Sequence, residues 1–314
     1  MTTTPLQATS LRKPLEHIIA AEDGVRLACR EYGSRHARRT VVMLHGLCLD
    51  QTTWLPQIRN LLAQWGTDIR IVTLDYRGHG KSQAAHVSTY TITQAARDLA
   101  HVIRVLNVAD GVVFAGHSMG GIVALSYLAQ PVEQRPIDPI GLVLAASSAG
   151  GLAERGLGRL LATPLLPPLA AIAATVPHRV ALDTVRALLT PACRTLARAA
   201  RLGADEHAGL KAAVATALTR TTPAAAIGYL ASLRQHNQFE LLRHITATTV
   251  IVSGGKDVIT PAHHSAALAA GIPRSVHLCQ PDAGHMLLHD GAAIVTDAIN
   301  MTLPAARTPA TRDA

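Results

Sequence analysis

The sequence predicts an α/β fold: a mostly parallel, eight-stranded sheet flanked by helices, with a helical insertion late in the chain. Three observations carry this expectation. Short runs of Val, Ile and Leu alternate with helical patterns, as parallel strands joined by crossover helices do. The runs are apolar at consecutive positions, which implies strands covered on both faces. The alternation stops between about residues 151 and 238, where an Ala/Leu-rich stretch of helical composition takes over.

In chain order, strands are expected at 17–20, 25–31, 40–44, 69–74, 111–115, 140–145, 248–252 and 275–278. Only Glu22-Asp23-Gly24 separates the first two, so these should pair as an antiparallel hairpin. Helical patterns fall at 54–64, 92–106, 119–130, 261–270 and 292–301. The core thus divides into residues 15–150 and 239–303, with the insertion at 151–238. The polar, Pro/Thr-rich ends, 1–14 and 304–314, are expected to be loose. A chain of 314 residues can bury a substantial core. With aromatics at 3%, that core must be built from Leu, Val, Ile and Ala.

Charge and cysteine usage exclude several function classes. Net charge is +8, from 29 Lys and Arg against 21 acids, but the basic residues are 25 Arg and 4 Lys in an Ala-rich chain. That pattern reflects composition bias, and no interleaved aromatics or nucleic-acid motif accompany it. The excess is concentrated: 151–238 holds ten Lys and Arg against four acids, a net +6. A basic face there implies weak peripheral contact with anionic lipid. Residues 160–177 carry no charge, yet Pro164, Pro167, Pro168 and Pro177 argue against a spanning helix and for a pocket wall. The four cysteines (Cys29, Cys48, Cys193, Cys279) are scattered, which suits reduced thiols rather than disulfides or zinc. With no apolar core in the first sixteen residues, the expected location is cytoplasmic.

The motif that carries chemistry is Gly116-His117-Ser118-Met119-Gly120. It lies between an apolar run and a helical pattern, the strand–turn–helix context of a nucleophile elbow. The glycines keep side chains from colliding with the neighbouring strand and helix, and the strained turn exposes the Ser118 hydroxyl at the helix N-terminus. A serine needs a base, and the base an orienting acid. In sheets of this type the acid and the histidine follow later strand ends, in that order. Asp257 follows the strand at 248–252 and His285 follows the strand at 275–278. Asp282 is the rival acid, but it follows the last strand rather than the one before it. An oxyanion hole needs two N–H donors. Met119, after the nucleophile, supplies one; Leu47, in His45-Gly46-Leu47-Cys48 after the third strand, supplies the other. Cys48 reads as a small buried residue. The segment from Asp75 to Ser82 lacks Walker spacing and reads as a brace for the oxyanion loop.

Together, His45-Gly46, the segment from Asp75 to Ser82, Gly116 to Gly120, Gly255-Lys256-Asp257 through Pro261, and Gly284-His285 resemble the α/β-hydrolase superfamily in order and position. The insertion corresponds to that family's variable cap, and the nearest resemblance is to cap-bearing esterases and monoacylglycerol-lipase-like hydrolases. Leu49 stands where the second glycine of the commoner His-Gly-x-x-Gly form would be. The resemblance implies hydrolysis of a carboxylic ester with an apolar acyl chain, through an acyl-enzyme, with no metal or organic cofactor. Thioesterase, perhydrolase or carbon–carbon bond hydrolase chemistry is the enzymatic alternative, and a non-catalytic binding protein the other.

Overall fold

A computed structural model of the chain describes residues 13–108, 111–152 and 221–304. The strands are β1 (Leu15–Ala20), β2 (Arg26–Gly33), β3 (Arg39–Leu44), β4 (Ile69–Leu74), β5 (Val112–His117), β6 (Gly141–Ala145), β7 (Thr248–Gly254) and β8 (Ser275–Gln280). They form one sheet in the order β1-β2-β4-β3-β5-β6-β7-β8. β1 and β2 pair antiparallel, as the short connection between them requires, and β2 pairs antiparallel with β4. All later pairings are parallel. Element ends lie within about two residues of those expected, the ordinary uncertainty of a boundary.

Alternation along the central strands sorts their side chains into two apolar layers. Val42, Leu44, Phe114, Leu142 and Leu144 enter one. Val41, Met43, Val113, Ala115, Val143 and Ala145 enter the other. The first layer is covered by α2 (Ile92–Val105) and α3 (Met119–Leu128), the second by α1 (Leu55–Trp65) and α8 (Ala292–Thr302). In α2 the buried positions Ile92, Ala95, Ala96, Leu99, Val102 and Ile103 form a single stripe. The Thr91 hydroxyl caps that helix by accepting from the Gln94 N–H at 3.1 Å. α3 is buried on nearly every side, so it carries almost no polar residues.

The expectation of strands covered on both faces holds for β3 to β6 and fails at the sheet's edges. β8 exposes Val276, His277 and Cys279, and β1 exposes Leu15 and Ile18, because each has a neighbour on one side only. Further along the chain come α4 (Pro223–Gln235), α5 (Phe239–Leu242) and α6 (Ala262–Gly271). A short α7 (Leu287–Asp290) precedes α8. α4 lies at the end of the insertion expected at 151–238 and α5 directly after it; most of that insertion, including 160–177, lies outside the described residues, as do nearly all of the two terminal tails. The two stems of that insertion are pinned together: Gly150 bridges Asn237, and the Gln238 N–H donates to the Ala149 carbonyl at 2.8 Å. Among the described residues, no helix is long and apolar enough to cross a membrane.

Candidate active site

Ser118 sits at the turn from β5 into α3 with φ 52° and ψ −119°, a conformation that costs a non-glycine residue about 1–3 kcal/mol. Close packing enforces the turn. A Cβ on Gly116 would lie 2.4 Å from the Gly121 nitrogen, and one on Gly120 would lie 2.1 Å from the Leu44 carbonyl oxygen. The Ser118 N–H donates to the Ala145 carbonyl at 2.9 Å, and the Ser147 hydroxyl donates to the Ser118 carbonyl at 3.0 Å. The serine is thereby locked to β6, leaving its Oγ half-buried at the carboxyl edge of the sheet.

Asp257 follows β7 and is buried. One carboxylate oxygen accepts the Ile259 and Thr260 N–H groups at 2.8 and 2.9 Å. The other accepts the Thr260 hydroxyl at 2.6 Å and faces His285 Nδ1 at 2.9 Å. Burial pushes the Asp257 carboxyl up, but the His285 ring and the Thr260 donors outweigh it and hold it down to about 2. An ionised carboxylate only accepts, so His285 carries its proton on Nδ1 and turns the Nε2 lone pair outward. That lone pair meets Ser118 Oγ at 3.0 Å. The rival, Asp282, is exposed and pairs with Lys256 at 3.3 Å.

Three supporting side chains escape sequence reasoning. Thr260 and Ser147 are described above. The third is His117, inside the elbow itself, whose Nε2–H donates to the His285 carbonyl at 2.9 Å. Burial, aided by the nearby His285, pushes the His117 imidazole down to about 3, so it is neutral. Its position beside Ser118 was the available signal; its partner, 168 residues away, was not.

The loop after β3 carries Leu47 next to Cys48, which has a positive φ of 61°. His45 donates from Nδ1 to the Gly46 carbonyl at 2.7 Å and accepts the Tyr76 N–H on Nε2 at 3.2 Å. His79 accepts the Cys48 N–H on Nε2, also at 3.2 Å. Burial, with the neighbouring His45, pushes His79 down to about 3, and burial pushes the Cys48 thiol up to about 12. Beneath the loop, Asp75 accepts from the Gln51 N–H, the Gln51 amide and the Lys81 N–H at 2.8, 3.0 and 2.9 Å. Arg77 is buried between Asp98 and Asp23, at 2.7 Å from each. The segment from Asp75 to Ser82 therefore spends its donors and acceptors on the protein itself. Met119, the first residue of α3, has an N–H that no turn of that helix can engage.

Fold and site together define a class, the α/β hydrolases, and the chain belongs to it: residues 41–298 match the Alpha/beta hydrolase family. Over 246 residues the chain is 28% identical to the RutD protein of Agrobacterium fabrum, which bears the provisional name of a carbamate hydrolase; the match spans 78% of this chain and 85% of that protein. Among solved structures it is similar to an esterase from Exiguobacterium antarcticum, with a TM-score of 0.69 and 23% identity over 91% of this chain and 98% of that one. The enol-lactonase of Burkholderia xenovorans LB400 is similar to the same degree, with a TM-score of 0.68 and 22% identity over 91% and 99% of the two chains. At these identities the structural likeness is one of fold.

Proposed function

We propose that the protein is a serine hydrolase that cleaves carboxylic esters with an apolar acyl chain through an acyl-enzyme. The observation that carries this reading is the continuous hydrogen-bonded chain from Ser118 Oγ through His285 to Asp257, at 3.0 and 2.9 Å, beginning at a strained serine. In the proposed mechanism Ser118 Oγ attacks the ester carbonyl carbon while its proton passes to His285 Nε2. The carbonyl electron pair moves onto oxygen, where the Met119 and Leu47 N–H groups stabilise it. Collapse breaks the bond to the leaving alcohol, which takes the proton back from His285. Water then attacks the acyl-enzyme, losing its proton to His285, and the acid departs as Ser118 regains its hydrogen. Asp257 holds the imidazole in the reactive tautomer and stabilises its charged form.

An apolar acyl chain suits the surroundings of the two donors. Met119 belongs to the larger apolar layer, and Leu47 packs against it. In this reading residues 15–150 and 239–303 form the catalytic core, and 151–238 form the cap that selects the substrate. The +6 balance of that cap supports weak docking on anionic lipid.

A fluorophosphonate probe should label the wild-type protein and not Ser118→Ala; labelling of both would overturn the serine assignment. A p-nitrophenyl ester series should show kcat/KM rising from acetate to longer chains. Fastest turnover on acetate would remove the apolar-chain assignment. A thioester and a vinylogous diketone measured alongside test the alternative reactions. Co-sedimentation with anionic vesicles should be weak and should fade in 1 M salt, where the Debye length is about 3 Å. No binding at low salt would leave the cap a pocket lid alone.

A further inference from the structure

The buried imidazole of His79 touches two parts of the molecule that are far apart in sequence. On one side its Nε2 accepts the Cys48 N–H at 3.2 Å, in the loop that carries Leu47. On the other, its backbone bridges Thr221, in the last part of the insertion expected at 151–238. The Thr222 N–H donates to the Gly78 carbonyl at 3.0 Å, and the Thr222 hydroxyl caps α4 by accepting from the Ala225 N–H at 3.2 Å. From α4, Tyr229 lays its ring against His79 with 5.4 Å between centroids, and Ala225 fills the space beside Gly78, where an added Cβ would lie 2.5 Å away. One side chain is thus clamped between the returning insertion and the loop after β3.

We infer that His79 is a positioning residue that makes the placement of the Leu47 N–H depend on the seating of the returning segment, Thr221 through α4. This rests on the reading of Leu47 as an oxyanion donor. The Cys48 N–H belongs to the peptide that joins it to Leu47, and the acceptor on His79 sets the direction of that peptide, while the Leu49 N–H closes the turn on the Gly46 carbonyl at 3.2 Å. When Thr221 and α4 are seated, His79 stands where its Nε2 meets the Cys48 N–H, and the adjacent Leu47 N–H is aimed. When they shift, the imidazole loses its ring contact and the loop loses its acceptor. Seating of Thr221 through α4 is thereby coupled to completion of the oxyanion hole.

The test uses the full-length protein, a p-nitrophenyl ester and a trifluoromethyl ketone, whose hemiketal oxygen occupies an oxyanion hole. His79→Leu removes the acceptor and should lower kcat about 10- to 100-fold with little change in KM, less than the 10²–10³ lost when a donor is deleted outright. The ketone Ki should rise in parallel. His79→Gln, whose amide oxygen can accept the same N–H, should recover most of both. Thr222 provides a second pair away from the loop. Its φ of −68° suits proline, so Thr222→Pro removes the N–H to Gly78 without backbone strain. Thr222→Ala loses the cap hydroxyl but keeps that N–H. Thr222→Pro should lower kcat and raise Ki relative to Thr222→Ala, with both compared per folded molecule. If His79→Leu and Thr222→Pro change only the melting temperature, the inference is overturned and His79 is scaffolding. If the wild-type protein is not inhibited by the ketone and not labelled by a fluorophosphonate, it is the underlying mechanism that fails.

Discussion

Asp75 and Asp257 occupy equivalent places: each is buried, and each lies in a loop just past the carboxyl end of a strand, β4 and β7. Their partners separate them. Asp75 takes three N–H donors, two from Gln51 and one from Lys81, none of which can change protonation near neutral pH. Asp257 gives one oxygen to two backbone N–H groups and the other to the Thr260 hydroxyl and His285. A carboxylate saturated by amides can only hold shape. One that faces an imidazole can also respond when that ring gains charge. The role of a buried acid is thus set by whether one of its partners can titrate.

The largest effect should come from the serine that the imidazole faces. Ser118→Ala should lower ester turnover by about 10⁶ with an unchanged circular dichroism spectrum. Retention of more than about a hundredth of wild-type activity would move the nucleophile elsewhere. Asp257→Asn should lower kcat by about 10⁴, because the histidine loses its tautomer and its counter-charge, with a loss of only about 2 kcal/mol of stability at neutral pH. The exposed Asp282→Asn should leave kcat near wild type, and the opposite ranking of these two variants would transfer the acid role.

Asp75→Asn should invert the pattern. One carboxylate oxygen becomes an amide nitrogen that cannot accept, so either the Gln51 N–H or the Gln51 amide together with the Lys81 N–H loses its acceptor. The expected cost is about 2–5 kcal/mol of stability, at roughly 1.5–3 kcal/mol per bond to a charged group. Denaturant unfolding would measure it, and activity per folded molecule should fall far less than in Asp257→Asn. A loss of kcat to match Asp257→Asn, without a stability loss, would erase the distinction between the two acids.

The smallest effect is a pH dependence. The Asp257 carboxyl is held down to about 2 from an ordinary 3.8, so its contribution is complete above the unfolded value and is lost as pH falls through the folded one. Unfolding free energy should therefore drop by about 2 kcal/mol from this group between pH 4 and pH 2. Unfolding curves of Asp257→Asn should lack that component; an equally steep acid limb in the variant would assign the loss to other carboxylates.

Much of the sheet was legible because each central strand is a short aliphatic run bounded by turn residues, and period-two alternation then fills both layers. The location of Ser118, Asp257 and His285 was legible for a related reason: each sits in a glycine-containing turn directly after such a run, and strand order separates Asp257 from Asp282. His117, Thr260 and Ser147 were not legible in the same way. The hydrogen bonds of His117 and Ser147 join distant strand ends, and nothing in local spacing marks which histidine or serine will find a carbonyl across the sheet; Thr260 is only three residues from Asp257, but that spacing alone does not mark its hydroxyl as the one that turns to the carboxylate. α5 and α7, of four residues each, are too short to display helical periodicity. The exposed faces of β1 and β8 follow from their place at the edges, which is a property of strand order rather than of their own residues.

The pinned stems at Gly150 and Asn237 have a consequence for how such a protein can be remade. Because entry and exit are fastened to each other, β6 and β7 stay in register beneath them, and Ala225, Tyr229 and Leu233 of α4 remain part of the larger apolar layer. Doubling the length of a flexible loop raises its closure cost by only about 0.6 kcal/mol. Foreign inserts of quite different length could be spliced between Leu152 and Thr221 while α4 and the scaffold keep their places, which makes that stretch a natural graft point for altering selectivity.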